Sequence, residues 1–170
     1  KHKAITATMY SSALRVSEVC HLRYEDIRRS QKMIHVPLSK NRQDRYTILS
    51  DRNLEILTEY WYRYNRPMGW LFPSTVRDEP LTTSTVEMFI KKYARLLGLP
   101  EGVTPHTMRH CFACQALEDG VSHTFIQQLL GHRSPNSTDV YLQMTSKALM
   151  GIRSPFDVLG EKQGDGCCDQ

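Results

Sequence analysis

Three short groups of residues in the second half of the chain carry side chains suited to phosphodiester chemistry. His106 and Arg109 are three residues apart, His132 follows Leu130-Gly131, and Tyr141 comes nine residues after that histidine. Guanidinium and imidazole groups can hold a phosphate through charge-assisted hydrogen bonds, and a phenol can attack its phosphorus atom. Together these residue types indicate cleavage of a phosphodiester bond.

The helices predicted around these residues would present them to one site. Thr104-Pro105 is a strong helix start, because threonine can cap a helix and proline fits the first helical position. On the helix that follows, His106 and Arg109 should project from one face. The next helix should finish at Gly131, since glycine readily takes the left-handed conformation that ends a helix abruptly. His132 would then lie at a helix terminus.

A small sheet is predicted in the first half of the chain. The β-rich runs 33–36 and 46–49 flank the polar segment 39–44, a pattern typical of a hairpin with a basic tip. A short strand near residues 25–28 would complete a three-stranded antiparallel sheet. The expected fold class is therefore mainly α with a small three-stranded antiparallel β-sheet.

The other elements of the chain are predicted to be helices. Apolar spacing suggests one around residues 14–22, and Asp51 is a plausible N-cap for another. Ser84 or a neighbouring threonine should open a further helix that stops at Gly98. Its expected buried residues are Val86, Phe89, Ile90, Tyr93 and Leu97.

Length and composition indicate one domain over residues 1–160. The 170 residues are 40% hydrophobic, which is enough for a substantial core, and residues 161–170 look disordered. No apolar run reaches the roughly 18 residues that span a bilayer, and no signal-peptide pattern is present, so we expect a cytoplasmic protein without membrane association. Five cysteines form no evident disulfide framework. The absence of an initial methionine suggests a fragment.

The positive charge of the chain is concentrated near its N-terminus. Residues 1–50 carry ten Lys/Arg against four Asp/Glu, whereas the net charge of the whole chain is +4. An electropositive surface there could follow a phosphate backbone, although a charge run is most often a solvated face. Charge alone therefore does not decide for a nucleic-acid partner.

Several motifs together resemble the catalytic domain of the tyrosine recombinases, the family that includes phage integrases and Xer-type resolvases. The similarity extends from about Tyr10 to Thr145 and keeps one order: Ala13-Leu14-Arg15-Val16-Ser17-Glu18-Val19, Lys40 in the hairpin, Pro105-His106-Thr107-Met108-Arg109-His110, Leu130-Gly131-His132 and Tyr141. Their order and spacing are far more specific than any single motif. The resemblance implies the fold of that catalytic domain, with the family's N-terminal core-binding domain absent from this chain.

The resemblance also implies how the phosphate would be held and attacked. Tyr141 would be the nucleophile, forming a covalent 3′-phosphotyrosyl link. Arg15 and Arg109 would contact the non-bridging phosphate oxygens, since their planar, permanently charged forks suit bidentate contacts. No metal or nucleotide cofactor would be needed.

Three further residues are implied by the same resemblance to assist this step. His132 would donate another hydrogen bond to the phosphate, and His106 would exchange a proton with the tyrosine. Lys40, at the hairpin tip, would protonate the departing 5′ oxygen as general acid. The catalytic set is therefore Arg15, Lys40, His106, Arg109, His132 and Tyr141.

Each of these residues also has a purely structural interpretation. Arg15 could be a surface helix arginine, and Lys40 a solvated lysine of a hairpin that also carries Arg42 and Arg45. The two histidines could serve at helix ends, and the tyrosine could be a packed aromatic. Their joint occurrence in the family order favours one active site.

A second cluster, His110-Cys111-x-x-Cys114, contains residue types that bind zinc. Zinc needs a fourth ligand and usually a second ligand pair, and the sequence supplies neither. On a helix these cysteines are more simply small core or boundary residues, so no metal site is expected.

The function implied by the resemblance is site-specific DNA recombination or integration. The partner would be double-stranded DNA, bound when full length as a homo-tetramer on two sites, and residues 145–159 could dock in cis or on a neighbouring protomer. Two alternatives stay open: DNA relaxation of the type IB topoisomerase kind, and a non-catalytic DNA-binding factor on the same fold. The presence of all six catalytic residue types argues against the second.

Overall fold

The computed structural model describes residues 1–37, 44–75, 79–131, 154 and 156–157. Within these residues it contains six α-helices and one three-stranded antiparallel sheet, so the predicted fold class is confirmed. In chain order the elements are α1 (His2–Ser11), α2 (Val16–Cys20), β1 (Ile27–Arg28), β2 (Met33–Val36), β3 (Arg45–Ile48), α3 (Asp51–Arg63), α4 (Thr83–Leu96), α5 (Pro105–Glu118) and α6 (His123–Leu129).

The sheet has the strand order β1-β2-β3, with both pairs antiparallel. Ile27 pairs with Ile34, and Met33 pairs with Ile48. Ile34 belongs to the larger apolar cluster of the core and Ile48 to the smaller one. The third strand begins at Arg45 and ends at Ile48, one residue earlier at each end than predicted. The hairpin tip lies outside the described residues.

The first helical region differs from the prediction of one helix over residues 14–22. The chain instead forms α1, turns at Ser12 and Ala13, and restarts as the short α2. Ala13 has a φ of +51°, a left-handed conformation of the kind that ends helices, although it is not a glycine. Arg15 consequently becomes the N-cap of α2 and not a mid-helix residue.

The starts of the later helices follow the capping rules closely. The N-cap of α3 is Ser50, whose hydroxyl accepts a hydrogen bond from Asn53, so the predicted cap Asp51 is one residue late. Thr82 caps α4 through the Thr85 amide, and Thr104 precedes Pro105 at the start of α5 as predicted. These caps fix where each helix begins.

Two apolar clusters form the core. The larger joins α1, α2, the sheet, α3 and α4 around Ile5, Met9 and Val86, and the smaller packs α5 and α6 against Ala13. The predicted burial of Tyr93 and Leu97 is wrong, because they are 43% and 73% exposed at the end of α4.

The described residues near the C-terminus pack in cis against α1 and α3. The Ser154 hydroxyl donates to the Ser11 carbonyl, and the Phe156 ring packs edge-on against Tyr10 with a centroid distance of 5.8 Å. The Arg52 amide, in the first turn of α3, donates to the Asp157 carboxylate at 3.1 Å. The predicted disordered tail, 161–170, lies outside the described residues. No helix in the described ranges could cross a bilayer.

Candidate phosphate-binding site

Arg15 lies at the turn between α1 and α2 and is held there by Glu18. Its amide donates to Glu18 Oε2 at 2.7 Å, and its Nη1 donates to Glu18 Oε1 at 2.9 Å. The side chain is 33% exposed, and its remaining N–H groups donate to no residue among those described. Arg15 is therefore oriented by one carboxylate while part of its fork stays accessible to a ligand.

Arg109 is buried on α5 and held by backbone carbonyl groups. Its Nη1 donates to the Ala13 carbonyl at 2.6 Å, and its Nη2 donates to the Leu130 carbonyl. Glu18 Oε2 lies 3.9 Å from Nη1. Arg109 thus links the α1–α2 turn to the end of α6.

Glu18 is the common partner of three arginines. It contacts Arg15 and Arg109 as described, and Arg45 Nη2 donates to its Oε2 at 2.7 Å. The side chains of Glu18, Arg45 and Arg109 are only 7%, 3% and 6% exposed. Among the described residues, one buried carboxylate therefore faces three guanidinium groups.

The pKa shifts in the cluster follow from this charge arrangement. Burial alone would raise the pKa of Glu18, but Arg45 and the charge and hydrogen bonds of Arg15 together hold that pKa below its ordinary value. Burial, together with the charges of Arg15 and Arg45, lowers the pKa of Arg109 to about 10 against the opposing effect of Glu18. At neutral pH Glu18 and Arg109 are consequently both charged.

His106 lies on α5 one turn before Arg109. Its side chain is exposed, and it makes no hydrogen bond or ion pair with any of the described residues. A structural role for His106 at the helix start would require a hydrogen bond from its imidazole to the backbone, and none is observed with the described residues. The imidazole remains accessible on the helix that carries Arg109.

Sequence comparison identifies the family to which this site belongs. A sequence model of the phage integrase family matches residues 1–147, a span that includes Arg15, Glu18 and Arg109. The chain belongs to the phage integrase family. The resemblance to tyrosine recombinases is thereby confirmed.

Individual relatives of this phage integrase family member are named as integrases or recombinases. A Sinorhizobium fredii protein named as an integrase/recombinase, y4qK, is 41% identical over 159 residues, which cover 94% of this chain and 51% of that protein. Tyrosine recombinase XerA of Pyrococcus horikoshii is 36% identical over 151 residues, covering 88% of this chain and 52% of the relative. The chain therefore spans about half the length of these relatives.

Two solved structures agree with these sequence matches. The crystal structure of XerA recombinase superposes with a TM-score of 0.71 at 27% identity, covering 97% of this chain and 58% of that one. The integrase from mycobacterium phage Brujita gives a TM-score of 0.70 at 25% identity, covering 87% and 48%. The fold is that of a tyrosine recombinase catalytic domain.

Half of the predicted catalytic set can be located in this integrase family member. The structure brings Arg15 and Arg109 together through Glu18 and places His106 on the helix of Arg109. Lys40, His132 and Tyr141 lie outside the described residues. Their roles remain predictions.

Sequence reasoning missed Glu18 and Arg45 as parts of this site. Glu18 stood inside the motif that carries Arg15, three residues downstream, which is the spacing of a capping carboxylate. That spacing could have assigned it to Arg15. Arg45 was considered only as a basic residue of the hairpin, and its burial at 3% removes it from the alternatives to Lys40.

Two of the three residues of the His110-Cys111-x-x-Cys114 cluster contact each other across one helical turn. His110 Nε2 lies 3.6 Å from Cys114 Sγ, one helical turn apart, and Cys114 and Cys111 are exposed. Over the described ranges, no group of three or more histidine, cysteine or acidic side chains could hold a metal ion.

Proposed function

We propose that this chain is the catalytic domain of a site-specific DNA recombinase or integrase that cuts and rejoins strands through a 3′-phosphotyrosyl intermediate. The observation that carries the proposal is the meeting of Arg15 and Arg109 at one buried carboxylate, with donors of Arg15 left accessible. Two fixed guanidinium groups at one point suit the non-bridging oxygens of a phosphodiester, whose charge increases in the transition state.

The proposed reaction conserves the phosphodiester bond energy. The Tyr141 hydroxyl attacks phosphorus, a P–O bond to the phenol forms, and the bond between phosphorus and the 5′ oxygen breaks. His106 accepts the phenolic proton, and Lys40 supplies a proton to the departing 5′ oxygen. Religation reverses these transfers when a 5′ hydroxyl of another strand attacks the phosphotyrosine.

Each positive group has its own part in this step. Arg15 and Arg109 bind the non-bridging oxygens, and His132 donates a further hydrogen bond to them. The positive charges of Arg15 and Arg109 also favour the phenolate form of the attacking tyrosine over the phenol. No metal ion or nucleotide takes part in the proposal.

We expect the partner to be double-stranded DNA, bound by a homo-tetramer on two sites in the cytoplasm. The basic N-terminal third of the chain and the positive arginine cluster both suit a DNA backbone.

The test uses the complete native polypeptide that carries these 170 residues. It is incubated with a pool of nicked duplexes of randomised sequence, because a nick lets the short 5′ strand diffuse away and traps the covalent protein–DNA link. We expect a denaturation-resistant adduct enriched for one sequence, abolished in Tyr141→Phe and retained in Tyr62→Phe, which changes an exposed tyrosine of α3.

Two results would contradict the proposal. Sequence-selective binding without any adduct would indicate a binding factor. Rapid relaxation of plasmids that lack the enriched sequence would instead indicate a topoisomerase.

A further inference from the structure

Arg45 is a buried cation that the proposed reaction does not use. It is the first residue of β3, its side chain is 3% exposed, and its Nη2 donates to Glu18 Oε2 at 2.7 Å. A guanidinium taken this far out of water is costly unless hydrogen bonds and a charge partner compensate it. Its neighbours therefore indicate what it does.

The side chain of Arg45 also packs directly against the turn at Gly131. This glycine has a φ of +62°, and a Cβ placed on it would lie 2.9 Å from Arg45 Nε and 3.1 Å from Cδ. The preceding residue, Leu130, supplies the carbonyl that accepts from Arg109. Arg45 thus touches the end of α6 at the point where the chain continues to His132.

The two oxygens of Glu18 are divided between different donors. Oε1 accepts from Arg15 Nη1, whereas Oε2 accepts from the Arg15 amide and from Arg45 Nη2. Arginine and carboxylate otherwise favour a bidentate pair with two parallel hydrogen bonds. By occupying Oε2, Arg45 opposes such a pair and leaves the outer donors of Arg15 available.

We propose that Arg45 is a positioning residue of the phosphate site, which holds Glu18 and the Gly131 turn so that Arg15 stays open toward a DNA phosphate. This inference rests on the proposed function. It assigns Arg45 no contact with DNA. Its effect reaches the phosphate through Glu18 on one side and through the α6 terminus on the other.

The first test compares variants of the complete native polypeptide by their rate of adduct formation at saturating nicked DNA. Arg45→Met removes the guanidinium and keeps an apolar stem, Arg45→Lys restores a charge without the fork, and Arg95→Met is an exposed control on α4. We expect Arg45→Met to slow adduct formation about 10- to 100-fold, as displaced catalytic groups do, while DNA affinity changes less than about threefold. Arg45→Lys should recover part of the rate.

A second measurement reads the geometry without any cleavage. The Nε–H signals of Arg15 and Arg109 are followed by ¹⁵N nuclear magnetic resonance in wild type, Arg45→Met and Arg95→Met, after the amide spectrum confirms folding. We expect the Arg15 signal to move toward that of a bidentate pair in Arg45→Met and to stay unchanged in Arg95→Met.

The two measurements separate failure of this inference from failure of the proposed function. A wild-type protein that forms no adduct would overturn the proposed function. The Arg15 signal alone would then decide whether Arg45 positions Arg15. A normal adduct rate in Arg45→Met, or an unchanged Arg15 signal, would overturn the role of Arg45. Weakened DNA binding in Arg45→Met that Arg45→Lys fully restores would also overturn it, because that pattern indicates that Arg45 contributes only positive charge.

Discussion

The substitution Glu18→Gln tests whether one carboxylate holds the arginine cluster together. Glutamine keeps the shape of glutamate and one acceptor oxygen, but it removes the negative charge that Arg15, Arg45 and Arg109 share. Two of those groups, on Arg45 and Arg109, are at least nine-tenths buried. Removing one partner from a buried ion pair typically costs about 3–5 kcal/mol, because it leaves an uncompensated charge inside the protein.

For Glu18→Gln we expect a loss of about 3 kcal/mol in the free energy of unfolding, since the amide retains part of the hydrogen bonding. In a chain of this length that corresponds to a fall of roughly 6–12 °C in the melting temperature. The assay is urea unfolding followed by circular dichroism. Glu59→Gln is the matched control, because Glu59 pairs with Arg63 on the surface, where such pairs contribute less than about 1 kcal/mol.

The pH dependence gives this prediction a second check. The pKa of Glu18 is lowered in the folded state, so its contribution to stability is present above its unfolded pKa and disappears as the pH falls through the folded pKa. The difference between wild type and Glu18→Gln should therefore shrink in acid. If Glu18→Gln unfolds within about 1 kcal/mol of wild type at neutral pH, as Glu59→Gln should, the cluster does not depend on this carboxylate.

Two further substitutions test the packing around the site by urea unfolding. Gly131→Ala should lower the free energy of unfolding by about 1–2 kcal/mol more than Gly98→Ala does. Both glycines have a φ near +60°, but only Gly131 lies close to another side chain, that of Arg45. Equal losses would show that this contact is unimportant. Phe112 is a fully buried residue of α5 that packs in the same apolar cluster as α6. Phe112→Ala should lower the free energy of unfolding by about 3–5 kcal/mol, whereas Leu117→Ala, on the exposed face of α5, should lower it by less than about 1 kcal/mol. Similar losses would contradict the assigned core.

Capping signals and strand patterns made most of the fold predictable. Thr104-Pro105 marked the start of α5, and the β-rich run at residues 33–36 marked the central strand, because both depend on local backbone preferences. The break between α1 and α2 could not be predicted in this way. It occurs at Ala13, an alanine in a left-handed conformation, where buried packing and the hydrogen bond from Arg109 override local preference.

The site was predictable only for residues that the family motif marks. Arg15 and Arg109 were found in this way, although their distance along the chain gives no indication that Glu18 lies between them. The place of Arg45 in the site could not be predicted for a different reason. A basic residue near a hairpin tip normally faces solvent, and only the tertiary structure shows that it turns inward below Gly131.

We infer that the arginine cluster is arranged to favour anion binding at some cost to folding stability. Arg109 donates from Nη1 and Nη2 to the neutral carbonyl groups of Ala13 and Leu130, so these hydrogen bonds hold its charge without neutralising it. Its pKa, lowered to about 10, still leaves it charged at neutral pH. Within the described part of the chain, Arg15, Arg45 and Arg109 all meet the carboxylate of Glu18, in surroundings that screen charge poorly. In the reaction that we propose, a phosphodiester entering beside Arg15 would add negative charge next to these cations and would offset part of the cost of burying them.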